Sequence, residues 1–128
     1  MAFSDYLENV ILNYVFGKIW YSPQELWVGL SLANPQDNAL GLDEPSSDDG
    51  YSRVLTHPVD WASSTLGEVF NNQAIVFPTA TSDWGEMMYF ALFDAAQMVI
   101  YSELVPNESV SAGQRPRFSP FRLRVRLE

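Results

Sequence analysis

Hydrophobic positions at the start of the chain recur with the period of a helix. Phe3, Leu7, Val10, Ile11, Tyr14 and Val15 fall at i, i+4, i+7, i+8, i+11 and i+12, one apolar stripe at 3.6 residues per turn. Ser4 stands where an N-cap belongs, and Asp5 and Glu8 lie in the first turns, where the helix dipole favours negative charge. Gly17 follows the last periodic residue, as a C′ glycine does. The pattern predicts an amphipathic helix over residues 4–16, either packed on its own domain or reaching out as an arm to another subunit.

After Ser22-Pro23 the period changes to two. Leu26, Val28, Leu30 and Leu32 alternate with Trp27, Gly29, Ser31 and Ala33, which predicts a strand with one strongly apolar face. Residues 34–50 are rich in Asn, Pro, Asp, Ser and Gly and read as a long acidic loop, of the length that is usually functional or mobile. Shorter strand signals follow at Tyr51–Thr56, Ala74–Phe77, Met87–Phe93, Met98–Leu104 and Phe121–Leu127. Asn71-Asn72, Pro78 to Gly85, Asp94 to Gln97 and Pro106-Asn107 divide them as turns. In the last strand Phe121, Leu123, Val125 and Leu127 face one way and Arg122, Arg124 and Arg126 the other; Pro120 lacks a ladder donor, so the regular strand begins there or later. The expected architecture is all-β, a jelly-roll-like β-sandwich over 26–127 with one N-terminal amphipathic α-helix, in a single domain 1–128. A chain of 128 residues matches the usual domain size of about 100–150.

Charge changes this picture in one respect. The net charge is −9, which argues against sequence-blind binding to nucleic acid or to an anionic membrane. Residues 1–114 carry Lys18 and Arg53 against fifteen acids, a net of −13, whereas 115–128 carry five arginines against Glu128, a net of +4. Such a split points to internal pairing or to an oppositely charged neighbour. The arginine face reads as the solvated side of an edge strand or as a partner, across a subunit boundary, of the acids at 43–49. No apolar run approaches the roughly 18–20 residues of a membrane span, and the N-terminus lacks the basic region of a signal peptide. With no cysteine, a disulfide scaffold, a Cys-ligated zinc and thiol catalysis are all excluded.

Candidate chemistry is thin. His57 is the only histidine; Ser52 or Ser63 and Asp60 would nominally complete a triad, but no G-x-S-x-G elbow is present and His57-Pro58 reads as a strand-end loop. The carboxylate pairs Asp43/Glu44, Asp48/Asp49 and Asp83/Glu86 are the raw material of a glycosidase, yet the first two sit in a polar loop that would leave them solvated. Calcium favours such oxygen donors, but the spacing does not match a D-x-[DN]-x-[DN]-G loop. Asp83-Trp84-Gly85 reads as a tight structural turn. No phosphate-binding glycine motif occurs. Catalytic, metal and cofactor sites are therefore expected to be absent. Trp20, Trp27, Trp61 and Trp84 with six tyrosines would fill a core, with one or two left for a sugar platform or a protein hot spot.

The order of these segments carries a resemblance. Ser4-Asp5-Tyr6-Leu7-Glu8-Asn9 opens the helix, Leu26-Trp27-Val28-Gly29-Leu30 the first strand, and Gly50-Tyr51-Ser52-Arg53 another. Phe77-Pro78-Thr79-Ala80-Thr81-Ser82-Asp83-Trp84-Gly85 and Phe90-Ala91-Leu92-Phe93-Asp94-Ala95 then lie close together, and Gly113, Phe118 and an alternating strand close the chain. Over nearly its whole length the chain resembles a group of small tailed-phage structural proteins, usually labelled phage tail fibre proteins. It differs in having Ala96-Gln97 where a glycine-rich turn is usual, and in its arginine-rich last strand. The resemblance implies a non-enzymatic virion protein, too short for a whole fibre. It suits a repeated module: a cement or decoration protein on the head, slightly preferred, or an adaptor or fibre-associated piece on the tail. Partners would be copies of itself and major capsid or tail proteins. The contact residues expected are Phe3, Leu7 and Tyr14 on the helix stripe and Arg122, Arg124 and Arg126 on the last strand. Two rivals stand beside this: a carbohydrate-binding receptor module using exposed aromatics and loop 34–50, and a hydrolase using Asp83, Glu86 or His57.

Overall fold

Helix α1 runs from Asp5 to Val15 in the computed structural model, which describes residues 2–95 and 97–126. The Ser4 side chain accepts the Leu7 N–H at 3.1 Å, as an N-cap must. At the other end Gly17 takes φ +74°, the Gly17 N–H donates to the Tyr14 carbonyl and the Lys18 N–H to that of Asn13. Together these form a Schellman motif, which stops the helix and redirects the chain.

The main sheet has five antiparallel strands in the order β1 (Ala2–Phe3), β7 (Gln97–Val110), β6 (Gly85–Asp94), β2 (Leu26–Ser31) and β3 (Val54–Thr56). Two ribbons, β4 (Glu68–Phe70) with β9 (Arg124–Arg126) and β5 (Ile75–Val76) with β8 (Arg117–Phe118), complete the β structure. This is an all-β, sandwich-like fold with one N-terminal helix. One core joins Val28, Leu30, Phe90 and Leu92 of the sheet to Ile75, Phe77, Phe118 and Leu123 of the ribbons and their flanks, and to Leu7 and Val10 of α1.

The second face of the sheet is covered by loop 34–50, contrary to the expectation of a mobile, solvated segment. Pro35 is fully buried, and Ala39 and Leu42 pack against Ala91, Phe93 and Met98. The loop can lie flat there because that face of β2 offers Gly29 and Ser31. Ser31 Oγ donates to the Ala33 carbonyl and accepts the Asp43 N–H, which fastens both ends of the descent.

Three other expectations need correction. Pro106-Asn107 does not end a strand: β7 passes through it, and Leu104 to Asn107 form a bulge opposite Met88 between the pairs Met87–Glu108 and Tyr89–Glu103. A strand was missed at Glu68–Phe70 because three residues give no readable period. Phe121 does not share the face of Leu123. Its φ is +71°, its N–H goes to the Asn71 carbonyl, and its ring is 54% exposed against Phe70. The strand therefore begins at Arg124, after a turn wrapped around Asn71. Ala96 of the predicted turn and Leu127 of the predicted strand lie outside the described residues.

Candidate functional site

Only the first four residues of the predicted helix stripe are used by the core. Leu7 and Val10 are buried and Phe3 and Ile11 half-buried, whereas Leu12, Tyr14, Val15, Phe16, Ile19 and Trp20 are exposed. The last turn of α1 and the residues after it stand clear of the sheet. Phe16 is 72% exposed and Trp20 79%. The Tyr14 and Trp20 rings meet at 5.5 Å with a 57° tilt, so the projection holds its own shape.

Its base is fastened on both sides. The Tyr6 hydroxyl, before the projection, and the Tyr21 hydroxyl, after it, both donate to Asp94 at the end of β6. Burial first, and then the bond to Asp94 and its negative charge, push both phenols above the usual tyrosine range. Residues 9–24 contain one charged side chain, Lys18, in a protein of net charge −9. The result is an apolar, acid-free arm tip on a pinned base.

A second apolar feature opens between the main sheet and the β4–β9 ribbon. Leu92 and Ile100 form its floor, Leu26, Val69 and Val125 its walls, with Trp61 beside them. The cleft has a volume of about 410 Å³. Trp61 is held by an indole N–H bond to Thr56 Oγ1 at 2.9 Å. At the mouth His57 Nε2 lies 3.7 Å from Glu25 Oε2, both about half exposed.

One acid of loop 43–49, Glu44, and the arginines of the last strand have partners within the chain, whereas Asp43 and Asp48 stay exposed and Asp49 partly so. Arg53 grips Glu44 through two 2.9 Å bonds, and Tyr51 donates to the same carboxylate at 2.8 Å while accepting the Leu30 N–H. The Arg53 guanidinium also lies 3.5 Å from the centroid of the Phe93 ring. Burial, reinforced by the Glu44 charge, pushes the Tyr51 phenol up, and the bond to Glu44 raises Arg53 further. Glu44 is thus a brace inside the fold rather than a solvated loop acid. Arg124 and Arg126 reach Glu68 at 3.7 and 3.3 Å, and Arg122 reaches Glu108 at 3.7 Å. Arg124 and Arg126 stay largely exposed.

The residues of the catalytic rivals have hydrogen-bond partners of their own. Asp83 Oδ1 accepts the Ala112 N–H, and Glu86 accepts from Asn107. The Asp60 carboxylate caps the His57 N–H instead of orienting its ring. No cluster of three or more His, Asp or Glu residues suited to a metal occurs among the described residues. No helix there is long and apolar enough to cross a membrane.

Residues 2–126 match the family model described as Podophage GP4 fiber I protein gp80. The chain belongs to this phage fibre protein family. Membership makes it a bacteriophage structural protein, located in the virion and associated with other phage structural components. No curated protein matches it. In this fibre-family chain the sequence had singled out Leu7, which lies inside the core, and overlooked Phe16, Ile19 and Trp20, which form the arm tip. Their signal was present but unread: four large apolar side chains, at 15, 16, 19 and 20, flank the helix-ending glycine where a connector should be polar.

Proposed function

We propose that this chain is a non-enzymatic module of the phage tail, attached to a fibre or its base, that works by burying surface against neighbouring subunits. The exposed arm tip supports the reading most directly. Phe16 and Trp20 are exposed together with Leu12, Val15 and Ile19, and clustered exposed apolar side chains mark contact sites. The family's description as a fibre protein favours the tail over the head. In the particle each copy adds stability by binding only the assembled form, and modest contacts repeated by symmetry sum as avidity.

Quantitative mass spectrometry of purified virions tests the placement. A tail module yields a copy number that is a small multiple of the tail's ring symmetry, far below that of the head shell. Hundreds of copies would make it a head decoration instead, and absence from virions would end both. A carbohydrate-binding role is the alternative reading. Trp20, the most exposed tryptophan, would have to serve as its platform. Host glycans that leave the tryptophan fluorescence unchanged would exclude that role.

A further inference from the structure

We propose that the arm tip of one copy seats in the apolar cleft of the next, so that the protein self-associates head to tail. The inference rests on the subunit-contact reading above and names its partner, a second copy of this chain, and the surfaces that meet.

The two features match in polarity. The arm offers exposed apolar side chains, and the cleft an apolar lining that includes Leu92 and Ile100. Its volume of about 410 Å³ lies within the range of pockets that take a drug-sized apolar group, so an indole or a phenyl ring fits. Aromatic side chains present about 150–250 Å² each, so at 72% and 79% exposure Phe16 and Trp20 leave roughly 300 Å² bare between them. That already equals the lower end of the largest patch on a typical monomer, and Leu12, Val15 and Ile19 add to it.

Charge selects the same pairing. Lys18 is the one charged side chain of the arm, and Glu25 is the acid at the cleft mouth. Bringing tip to cleft sets a cation beside an acid, whereas bringing two tips together sets Lys18 against Lys18. The chain's own arm does not fill its own cleft: Trp20 packs on Tyr14, and Tyr21 is held by Asp94. A tip that meets a different patch on its neighbour makes a heterologous contact, which closes into a ring or continues as a chain of copies.

The test uses the full-length protein in sedimentation velocity over a concentration series. One variant removes the tip, Phe16→Ser with Trp20→Ser; another plugs the cleft mouth, Ser63→Trp. All three substituted residues are exposed. The parent self-associates, and each variant alone associates at least tenfold more weakly. An equimolar mixture of the two recovers a heterodimer, because the plugged copy keeps its tip and the tipless copy keeps its cleft. A charge-swapped pair, Lys18→Glu mixed with Glu25→Lys, supplies an independent arm should Ser63→Trp fail to fold, and also recovers association on mixing. The proposal is overturned if the parent stays monomeric at millimolar concentration. It is equally overturned if mixing recovers nothing, or if the tipless variant alone loses association while the plugged one does not. Copy number in virions separates the two readings. A monomeric protein present in the tail defeats only the head-to-tail contact; a self-associating protein missing from virions defeats only the fibre role.

Discussion

Gly29→Ala probes how loop 34–50 is held against the sheet. Gly29 sits in the middle of β2, opposite Ala91, and its backbone needs no positive φ, so any cost of a side chain is steric. A Cβ there would lie 2.8 Å from Glu44 Oε1, 2.9 Å from the Tyr51 hydroxyl and 2.9 Å from Phe93 Cε1. None of these side chains is free to retreat. Glu44 is tied by Arg53 and Tyr51, Tyr51 by the Leu30 N–H and its packing on Phe77 and Trp84, and Phe93 by the Arg53 guanidinium above it. Overpacking of a core costs about 1–3 kcal/mol, and three pinned neighbours put this site at the upper end. Replacing glycine returns about 0.4–1 kcal/mol by restricting the unfolded chain. The net loss is about 2 kcal/mol, which for a chain of this length lowers Tm by roughly 6–10 °C. Calorimetry with urea denaturation measures it. A double-mutant cycle with Glu44→Ala removes the nearest obstructing atom, so Gly29→Ala then costs at least about 0.5 kcal/mol less. A Gly29→Ala protein as stable as the parent, or a cost unchanged by Glu44→Ala, would refute the account of a loop braced through Gly29.

Asn71→Leu costs at least about 3 kcal/mol in urea denaturation, because it strands the Leu123 N–H and the carbonyls of Gln73 and Ser119, all now bonded to one fully buried amide. Its neighbour Asn72 has a buried Oδ1 without a partner, so Asn72→Ala costs less than about 1 kcal/mol; equal costs would contradict the assignment. Arg53→Lys keeps the charge but loses the fork on Glu44 and most of the stacking on Phe93, for about 1–2 kcal/mol, since the pair is partly exposed. Partial burial, with the bond to Asp37 and its charge, pushes the Tyr101 phenol from 10.0 up to about 12. The unfolded chain therefore ionises first: the contribution is fully present below pH 10.0 and is lost as pH rises from there through about 12, with Tyr6, Tyr21 and Tyr51 acting in the same direction. Tyr101→Phe makes that decline shallower, and a stability unchanged between about pH 9 and pH 11 would contradict the shifts.

The sequence made the fold readable wherever one face of an element repeats. The stripe from Phe3 to Val10 and the Ser4 and Gly17 signals specify α1 almost to the residue. The alternation in Leu26–Ser31 and the apolar run in Met87–Phe93 specify the central strands, which are buried on both sides. What could not be read are structures held by single side chains acting at long range. Asn71 looks like one more turn former, yet its amide organises residues 48 and 52 positions away and so decides where β9 begins. The second face of β2 reads as exposed because Gly29 and Ser31 are small, when their smallness is what admits the loop.

Charge follows the same logic. Glu44 and Arg53 are nine residues apart, and no periodicity predicts that they meet. Once they do, Glu44 is no longer available to a neighbour, while Asp43 and Asp48 stay exposed and Asp49 partly so, and Glu68 and Glu108 similarly occupy the last strand's arginines. A chain of net charge −9 must still bring copies together against its own repulsion if it is to build part of a virion. The arm tip is a surface on which that repulsion is low, because residues 9–24 contain no acid at all. Apolar area there supplies the attraction, and Lys18 supplies the one charge that an acidic neighbour welcomes. On the proposed contact, assembly rests on the residues that break the acidic pattern, while Glu44, Glu68 and Glu108 brace the subunit itself.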